Sequence, residues 1–107
     1  MPQIKHVAIM MSGLLMVLSC SAFALDGAEL YKTKTCYTCH GKDGKTPIMP
    51  SYPNIAGQNE EYTLQQMKDI KSGARANGMS AAMKGIMHLV DDEEMKALAA
   101  YIATMAP

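Results

Sequence analysis

The chain has 107 residues and equal numbers of basic and acidic side chains, so its formal net charge is zero. This balance, with no basic patch and no aromatic residues interleaved with basic ones, argues against a nucleic-acid-binding surface. The length allows one small domain. A domain of this size buries a limited hydrophobic core and often needs a staple or a cofactor.

The first 24 residues have the pattern of a secretory signal peptide. After a basic start, residues 7–18 are uncharged and mostly apolar, and Ala22-Phe23-Ala24 gives a small-x-small cleavage pattern. Cys20 keeps a lipoprotein signal open as an alternative. An uncleaved anchor is disfavoured because a membrane span needs about 20 apolar residues. We therefore expect residues 1–24 to be removed, export to the periplasm, and one mature domain over residues 25–107 without a membrane span.

The remainder of the chain predicts helices. Three segments begin at a residue suited to an N-cap and carry apolar side chains at helical spacing. They are residues 27–33 after Asp26, residues 60–72 after Asn59, and a last helix that Asp91 opens with Glu94 following. Residues 80–87 are predicted as a short helical or irregular segment. No segment alternates like a strand, so we expect an all-α fold of three to four short helices.

A pentapeptide at the turn that ends the first helix carries the chemistry, Cys36-Tyr37-Thr38-Cys39-His40. Two cysteines separated by two residues and followed directly by histidine are the attachment spacing of c-type haem. The thiols form thioethers with the porphyrin vinyl groups, and the histidine binds the iron as the proximal ligand. The motif therefore predicts one covalent haem c, held by Cys36, Cys39 and His40.

Two other kinds of site use the same residue types. A thiol–disulfide motif of the thioredoxin type belongs to a βαβ context, and no strand pattern precedes Cys36. A structural zinc site needs four ligands. After residue 24 the chain offers only Cys36, Cys39, His40 and His88, and the adjacent Cys39 and His40 make an awkward ligand pair. Haem is the interpretation that these residues favour.

Residues 41–58 contain three glycines and three prolines, too many for a helix or strand. A loop this long is uncommon in a small domain and usually has a function. We expect this loop to wrap the edge of a haem.

The candidates for a second axial ligand lie between the second and last helices. Met79, Met83 and Met87 recur at four-residue spacing. This spacing also fits one packed face of a short helix, so position alone does not choose among them. His88 is the rival donor, but it neighbours a cluster of acidic residues and is expected at the surface.

The mature chain resembles class I c-type cytochromes, most closely the monohaem domains of bacterial dihaem and small periplasmic cytochromes c. The residues that carry the resemblance lie along the whole domain. They are Gly27-Ala28-Glu29-Leu30-Tyr31, the stretch from Cys36 to Gly44, Tyr52-Pro53-Asn54-Ile55-Ala56-Gly57-Gln58, Tyr62 with Gln66, residues 69–71 and 73–75, and residues 91–94 with Leu98, Ala99, Tyr101 and Ile102.

The resemblance implies a cytochrome c fold and further site residues. In that family the ligand methionine precedes the cap of the last helix by a characteristic number of residues, and counting back from Asp91 gives Met83. The resemblance also implies that the Pro47 carbonyl accepts the Nδ1 proton of His40. Arg75 is either a partner of a haem propionate or a solvated loop charge. Gly27 either lets the first and last helices cross closely near Tyr101 or simply starts a helix.

Iron bound by His40 and Met83 is six-coordinate, and a thioether ligand raises its potential. The expected function is electron transfer between redox partner proteins through transient contacts of a monomer, rather than enzyme catalysis. Two alternatives stay open: a haem-bearing subunit of a larger periplasmic oxidoreductase, and an open-site haem protein that binds ligands.

Overall fold

The computed structural model describes Gly13 and residues 25–107, which form five helices in chain order. They are α1 (Gly27–Thr33), α2 (Cys36–His40), α3 (Glu60–Ser72), α4 (Ser80–Met87) and α5 (Asp92–Thr104). The described residues contain no strand, which confirms the all-α prediction. None of their helices is long and apolar enough to cross a membrane. The predicted cleavage site Ala22-Phe23-Ala24 and Cys20 lie outside the described residues.

The predicted helix starts are confirmed by side-chain caps. Asp26 accepts hydrogen bonds from the backbone N–H groups of Ala28 and Glu29 at 3.0 and 3.2 Å. Asn59 caps α3 by accepting from the backbone of the third helical residue. Asp91 and Glu94 form a complete capping box at α5. Each cap satisfies donors that would otherwise lack partners at a helix start.

The prediction of three to four helices was wrong because the cysteine motif forms a helix of its own. Thr35 lies between α1 and α2 with a φ of 63°, in the left-handed region. This left-handed residue separates the two helices, and α2 begins at the next residue, Cys36. A β-branched residue is rare in this conformation. Because position 35 holds neither glycine nor asparagine, nothing in the local sequence indicates that α1 ends here.

Helices α1 and α5 cross in close contact at Gly27. A Cβ atom on Gly27 would lie 2.6 Å from the Cβ of Tyr101 and would also clash with the carbonyl oxygen of Ala97. The rings of Tyr31 and Tyr101 pack nearby with centroids 5.6 Å apart. The role expected for Gly27 at this crossing is thus confirmed.

The core lies where α1, α3 and the segment after α4 meet α5. Its buried members are Tyr31, Met67, Ile70, Met87, Val90, Met95, Leu98, Ala99 and Ile102. Methionines and aliphatic residues predominate over aromatic ones. Helix α4 packs against α3, and the space between α2, α3, α4 and α5 is left as a cavity.

The loop over residues 41–58 is closed at its base by backbone hydrogen bonds. The Gly44 carbonyl accepts from the N–H groups of Ile55 and Ala56 at 2.8 and 3.1 Å. Gly57 then donates to the carbonyl of Ile102 at 3.0 Å, which ties the loop to α5. Residues 51–54 of the loop line one side of the cavity, as expected for a loop that contacts a bound group.

Candidate functional site

A cavity of about 420 Å³ occupies the centre of the described domain. Helix α2 forms one side with Cys36, Cys39 and His40, and α4 contributes Met83. Helices α3 and α5 complete the wall with mostly apolar side chains, and residues 51–55 of the loop close another side. The cavity thus brings together the motif and the methionine segment, which lie far apart in the sequence.

The two cysteines of the motif form no disulfide and lie partly buried at the edge of the cavity. The pKa of the Cys36 thiol is raised to about 11, chiefly by burial; a backbone hydrogen bond opposes the shift and the neighbouring Cys39 adds to it. Helix α2 places both thiols and His40 along one cavity wall. This arrangement suits two thioethers and one axial ligand on the same group.

His40 is buried, with 8 % of its surface exposed. Its Nδ1 lies 3.1 Å from the carbonyl oxygen of Pro53, and donation of the Nδ1 proton fixes the tautomer that leaves Nε2 free to bind a metal. Burial lowers the pKa of His40, with partial opposition from the bond to Pro53. Burial thus favours the neutral imidazole and the bond to Pro53 orients it, and a neutral, oriented ring is the form that coordinates iron.

The expected acceptor for His40, the carbonyl of Pro47, is therefore wrong. Ile48 donates its backbone N–H to the carbonyl of Cys39 at 3.0 Å, which folds the start of the loop back on α2. Pro47 is held beside that contact and does not line the cavity, whereas Pro53 does. Pro53 belongs to the Tyr52–Gln58 segment, which is one of the segments that carry the family resemblance, so the sequence contained a pointer to this residue.

The four candidate second ligands occupy different environments. Met79 precedes the first turn of α4 and is 47 % exposed, whereas Met87 is 3 % exposed and belongs to the core. Met83 lies between them, partly buried. All three methionines line the cavity, and His88 does not. The structure therefore brings all three methionines, Met83 among them, to the cavity that His40 also lines.

Comparison with known proteins agrees with this site. Residues 24–106 match the family model described as Cytochrome c. The chain belongs to the cytochrome c family. It accordingly carries a covalent haem c with iron and is an electron-transport protein of the class I c-type cytochromes.

Individual relatives include cytochromes much longer than this chain and others of similar length. The chain is 41 % identical over 73 residues to cytochrome c4 of Pseudomonas aeruginosa, covering 68 % of this chain and 34 % of the relative. It is 34 % identical over 85 residues to cytochrome c-553 of Nitratidesulfovibrio vulgaris, covering 79 % and 81 %. It is 35 % identical over 97 residues to the thiosulfate dehydrogenase electron acceptor of Stutzerimonas stutzeri, covering 84 % and 44 %. The chain thus spans about a third to two-fifths of the cytochromes c4 that it matches.

The cavity of this cytochrome also has a polar wall that fits haem. The Thr63 hydroxyl is buried without a hydrogen-bond partner among the described residues. Gln66, one turn later on α3, accepts from Arg75 Nη1 at 3.0 Å. All three residues line the cavity. A mostly apolar cavity that also presents polar side chains suits a flat apolar ring that carries polar substituents.

Thr63 and Gln66 did not emerge from the sequence as site residues. Gln66 contributes to the family resemblance, but Thr63 appears only as one residue of an amphipathic helix. Their separation by three positions places both on one face of α3, and this spacing was the feature of the sequence that could have pointed to a shared polar surface. The role of Arg75 toward a propionate stays a prediction.

Proposed function

We propose that this cytochrome is a periplasmic monohaem electron carrier whose iron is bound by His40 and Met83, and that it is not itself an enzyme. One observation carries the proposal: two residues of the types that ligate cytochrome c iron, from α2 and α4, line a single cavity beside Cys36 and Cys39. The chain contains one Cys-x-x-Cys-His motif, which supports a single haem.

Environment favours Met83 over the other methionines. Met87 is already part of the packed core, and Met79 is exposed at the rim of the cavity. Met83 lines the cavity and is neither core nor surface. The Met83 side chain is partly buried and packs against the edge of the core, so its thioether is partly shielded from water where it lines the cavity.

The protein residues account for the properties that an electron carrier requires. The haem supplies the one-electron couple of its iron. Pro53 holds the His40 ring in one orientation, and the apolar wall excludes water, which tunes the potential. A site with two fixed protein ligands needs no large rearrangement on oxidation or reduction. No substrate-binding group is required beyond the surfaces at which donor and acceptor proteins dock.

The proposed location depends on residues 1–24, which have the pattern of a cleaved signal peptide. Residues 25–107 would then form the mature single domain. Covalent attachment of haem to Cys36 and Cys39 fits the same compartment. Cleavage before Leu25 is checked by the N-terminal sequence of protein isolated from the periplasm.

The ligand assignment is tested with Met83→Ala, and Met79→Ala, at the N-cap position of α4, serves as the matched control. A thioether ligand gives ferric haem a weak charge-transfer band at long wavelength. We expect Met83→Ala to lose this band and the reduced variant to bind carbon monoxide rapidly, while Met79→Ala keeps the band. Retention of the band in Met83→Ala would contradict the assignment.

A second candidate function is that of a haem subunit held permanently by a larger oxidoreductase. Two neighbouring apolar residues of the loop, Ile48 and Met49, are exposed beside the backbone contact to Cys39. A relative is named as the electron acceptor of a dehydrogenase. The native mass of the protein in periplasmic extract distinguishes the two: a free carrier elutes as a monomer, and a subunit elutes with its enzyme.

A further inference from the structure

Two lysines from different helices donate to consecutive backbone carbonyls between α4 and α5. Lys34, the C-cap residue of α1, donates from Nζ to the carbonyl of Leu89 at 2.8 Å. Lys71, in the last turn of α3, donates from Nζ to the carbonyl of Val90. The segment Leu89–Val90, here called the junction, is thus bound from two sides.

The junction is part of the core rather than a surface turn. Val90 is buried, and its N–H donates to the carbonyl of Met87 at 3.1 Å. Val90 also occupies the position before the α5 cap, and Met95 the fourth position of that helix. This is the placement of a hydrophobic staple, and both side chains are buried. A displaced junction would therefore disturb the end of α4 and the start of α5 together.

Lys34 also links the junction to the α5 cap. Its Nζ lies 3.2 Å from Oε2 of Glu94, and the other carboxylate oxygen of Glu94 accepts the N–H of Asp91 at 3.0 Å. The Lys34 and Glu94 side chains are 25 % and 16 % exposed, so water screens the pair only in part. An ammonium group has three donors and can serve the carbonyl and the carboxylate together.

Helix α4 depends on the junction because it has few other constraints. Its N-cap position is Met79, and among the described residues no side chain caps that end. The preceding residues 76–79 are exposed. Helix α4 packs on α3, whereas the junction ties its C-terminal end to α1 and α5 through Lys34 and Glu94.

We propose that Lys34 and Lys71 are positioning residues for the axial methionine: they fix the junction and so keep Met83, about two turns before it in the chain, at the iron. The inference rests on the proposed ligation by Met83. Neither lysine lines the cavity, and each acts through the backbone that it binds. Loss of either donor raises the population in which α4 has moved away and the iron face is open.

Binding of imidazole to the ferric holoprotein measures this open population, because imidazole must replace the methionine sulfur. The apparent affinity is the intrinsic affinity multiplied by the open fraction. Lys34→Met and Lys71→Met remove the donors and keep apolar stems of similar length. We expect each variant to bind imidazole about tenfold more tightly than wild type, the change that corresponds to losing one hydrogen bond from a charged donor.

Three variants serve as controls. Lys96→Met removes a lysine that pairs only with Glu93 on α5 and is 55 % exposed, so imidazole affinity should stay unchanged. Glu94→Gln removes the ion pair with Lys34 but retains an acceptor for the cap, and its effect should be smaller than that of Lys34→Met. Lys71→Arg restores a cationic donor and should return the affinity toward the wild-type value.

The outcomes separate the inference from the ligand proposal. Wild-type ferric protein without a thioether band would refute methionine ligation and the inference with it. A wild-type band that disappears in Met83→Ala, with lysine variants that bind imidazole as wild type does, would refute only the positioning role. A lower unfolding free energy without tighter imidazole binding would likewise show that the lysines merely stabilise the fold. If Lys71→Met does not fold, Lys34→Met decides the question.

Discussion

Replacing Gly27 and Gly85 by alanine should change stability in opposite directions. The Cβ of Gly27→Ala would stand 2.6 Å from the Cβ of Tyr101 and against the Ala97 carbonyl oxygen. Contacts between carbon atoms are optimal at about 3.5–4.0 Å, so α1 must move away from α5 by about 1 Å. The obstructing atoms belong to backbone or Cβ positions and cannot rotate aside.

The expected magnitude follows from two opposing contributions. Overpacking of a tight contact costs about 1–3 kcal/mol, and alanine in place of glycine within a helix returns about 0.5–1 kcal/mol. Because Gly27 is the first helical residue of α1, its gain lies at the low end of that range. We expect Gly27→Ala to lose about 2 kcal/mol, equivalent to a fall in Tm of roughly 8–16 °C for a domain of this size.

Gly85 supplies the matched control because an added Cβ there meets no atom within 4 Å. The residue lies inside α4 and is exposed, so Gly85→Ala should gain about 0.5–1 kcal/mol. Guanidinium unfolding of the ferric holoprotein, followed by far-ultraviolet circular dichroism, measures both variants at an unchanged m-value. Equal or higher stability of Gly27→Ala would refute the tight crossing of α1 and α5.

Three further predictions concern the region around α2. Tyr31 donates to the carbonyl of Gly41 at 2.6 Å, and burial raises its pKa from 10.0 to about 12. The protonated Tyr31 hydroxyl therefore contributes its full share of stability below pH 10, and this share is lost as the pH rises to about 12. Tyr31→Phe should cost about 1 kcal/mol at neutral pH and flatten that alkaline fall in unfolding experiments. Thr35→Asn should gain about 1 kcal/mol in the same assay, because asparagine tolerates a left-handed backbone better than a β-branched residue. Backbone N–H donation from Lys45, with further bonds from Thr46, lowers the pKa of Asp43 below 3.8. The ionised Asp43 therefore contributes to stability above pH 3.8, and this contribution is lost as the pH falls through the lowered pKa. Asp43→Asn should consequently lose less unfolding free energy in acid than the wild type does.

The helix starts could be predicted because each depends on a local arrangement. Asp26, Asn59 and Asp91 meet their partners within three residues, so sequence spacing alone specifies the bond. The crossing at Gly27 was also recognisable, though only through the family resemblance, because its partners Ala97 and Tyr101 lie at the other end of the chain.

The two wrong predictions, the number of helices and the acceptor of His40, concern places where tertiary contacts determine the backbone conformation. Thr35 adopts a conformation that its side chain disfavours, so the separate helix α2 had no local signal. The acceptor of His40 depends on how the loop folds back after Cys39, and both Pro47 and Pro53 are compatible with the sequence pattern. The structure selects Pro53 by placing its carbonyl at the imidazole.

The close crossing of α1 and α5 at Gly27 has a consequence for proteolysis. Residues 48–51 are exposed, and a cut there would leave Cys36, Cys39 and His40 on one fragment and Met83 on the other. The first fragment keeps α1, which crosses α5 of the second at Gly27, and the Gly44 carbonyl stays bonded to Ile55. The nicked domain should therefore remain a noncovalent complex of two fragments, each with one side of the iron site.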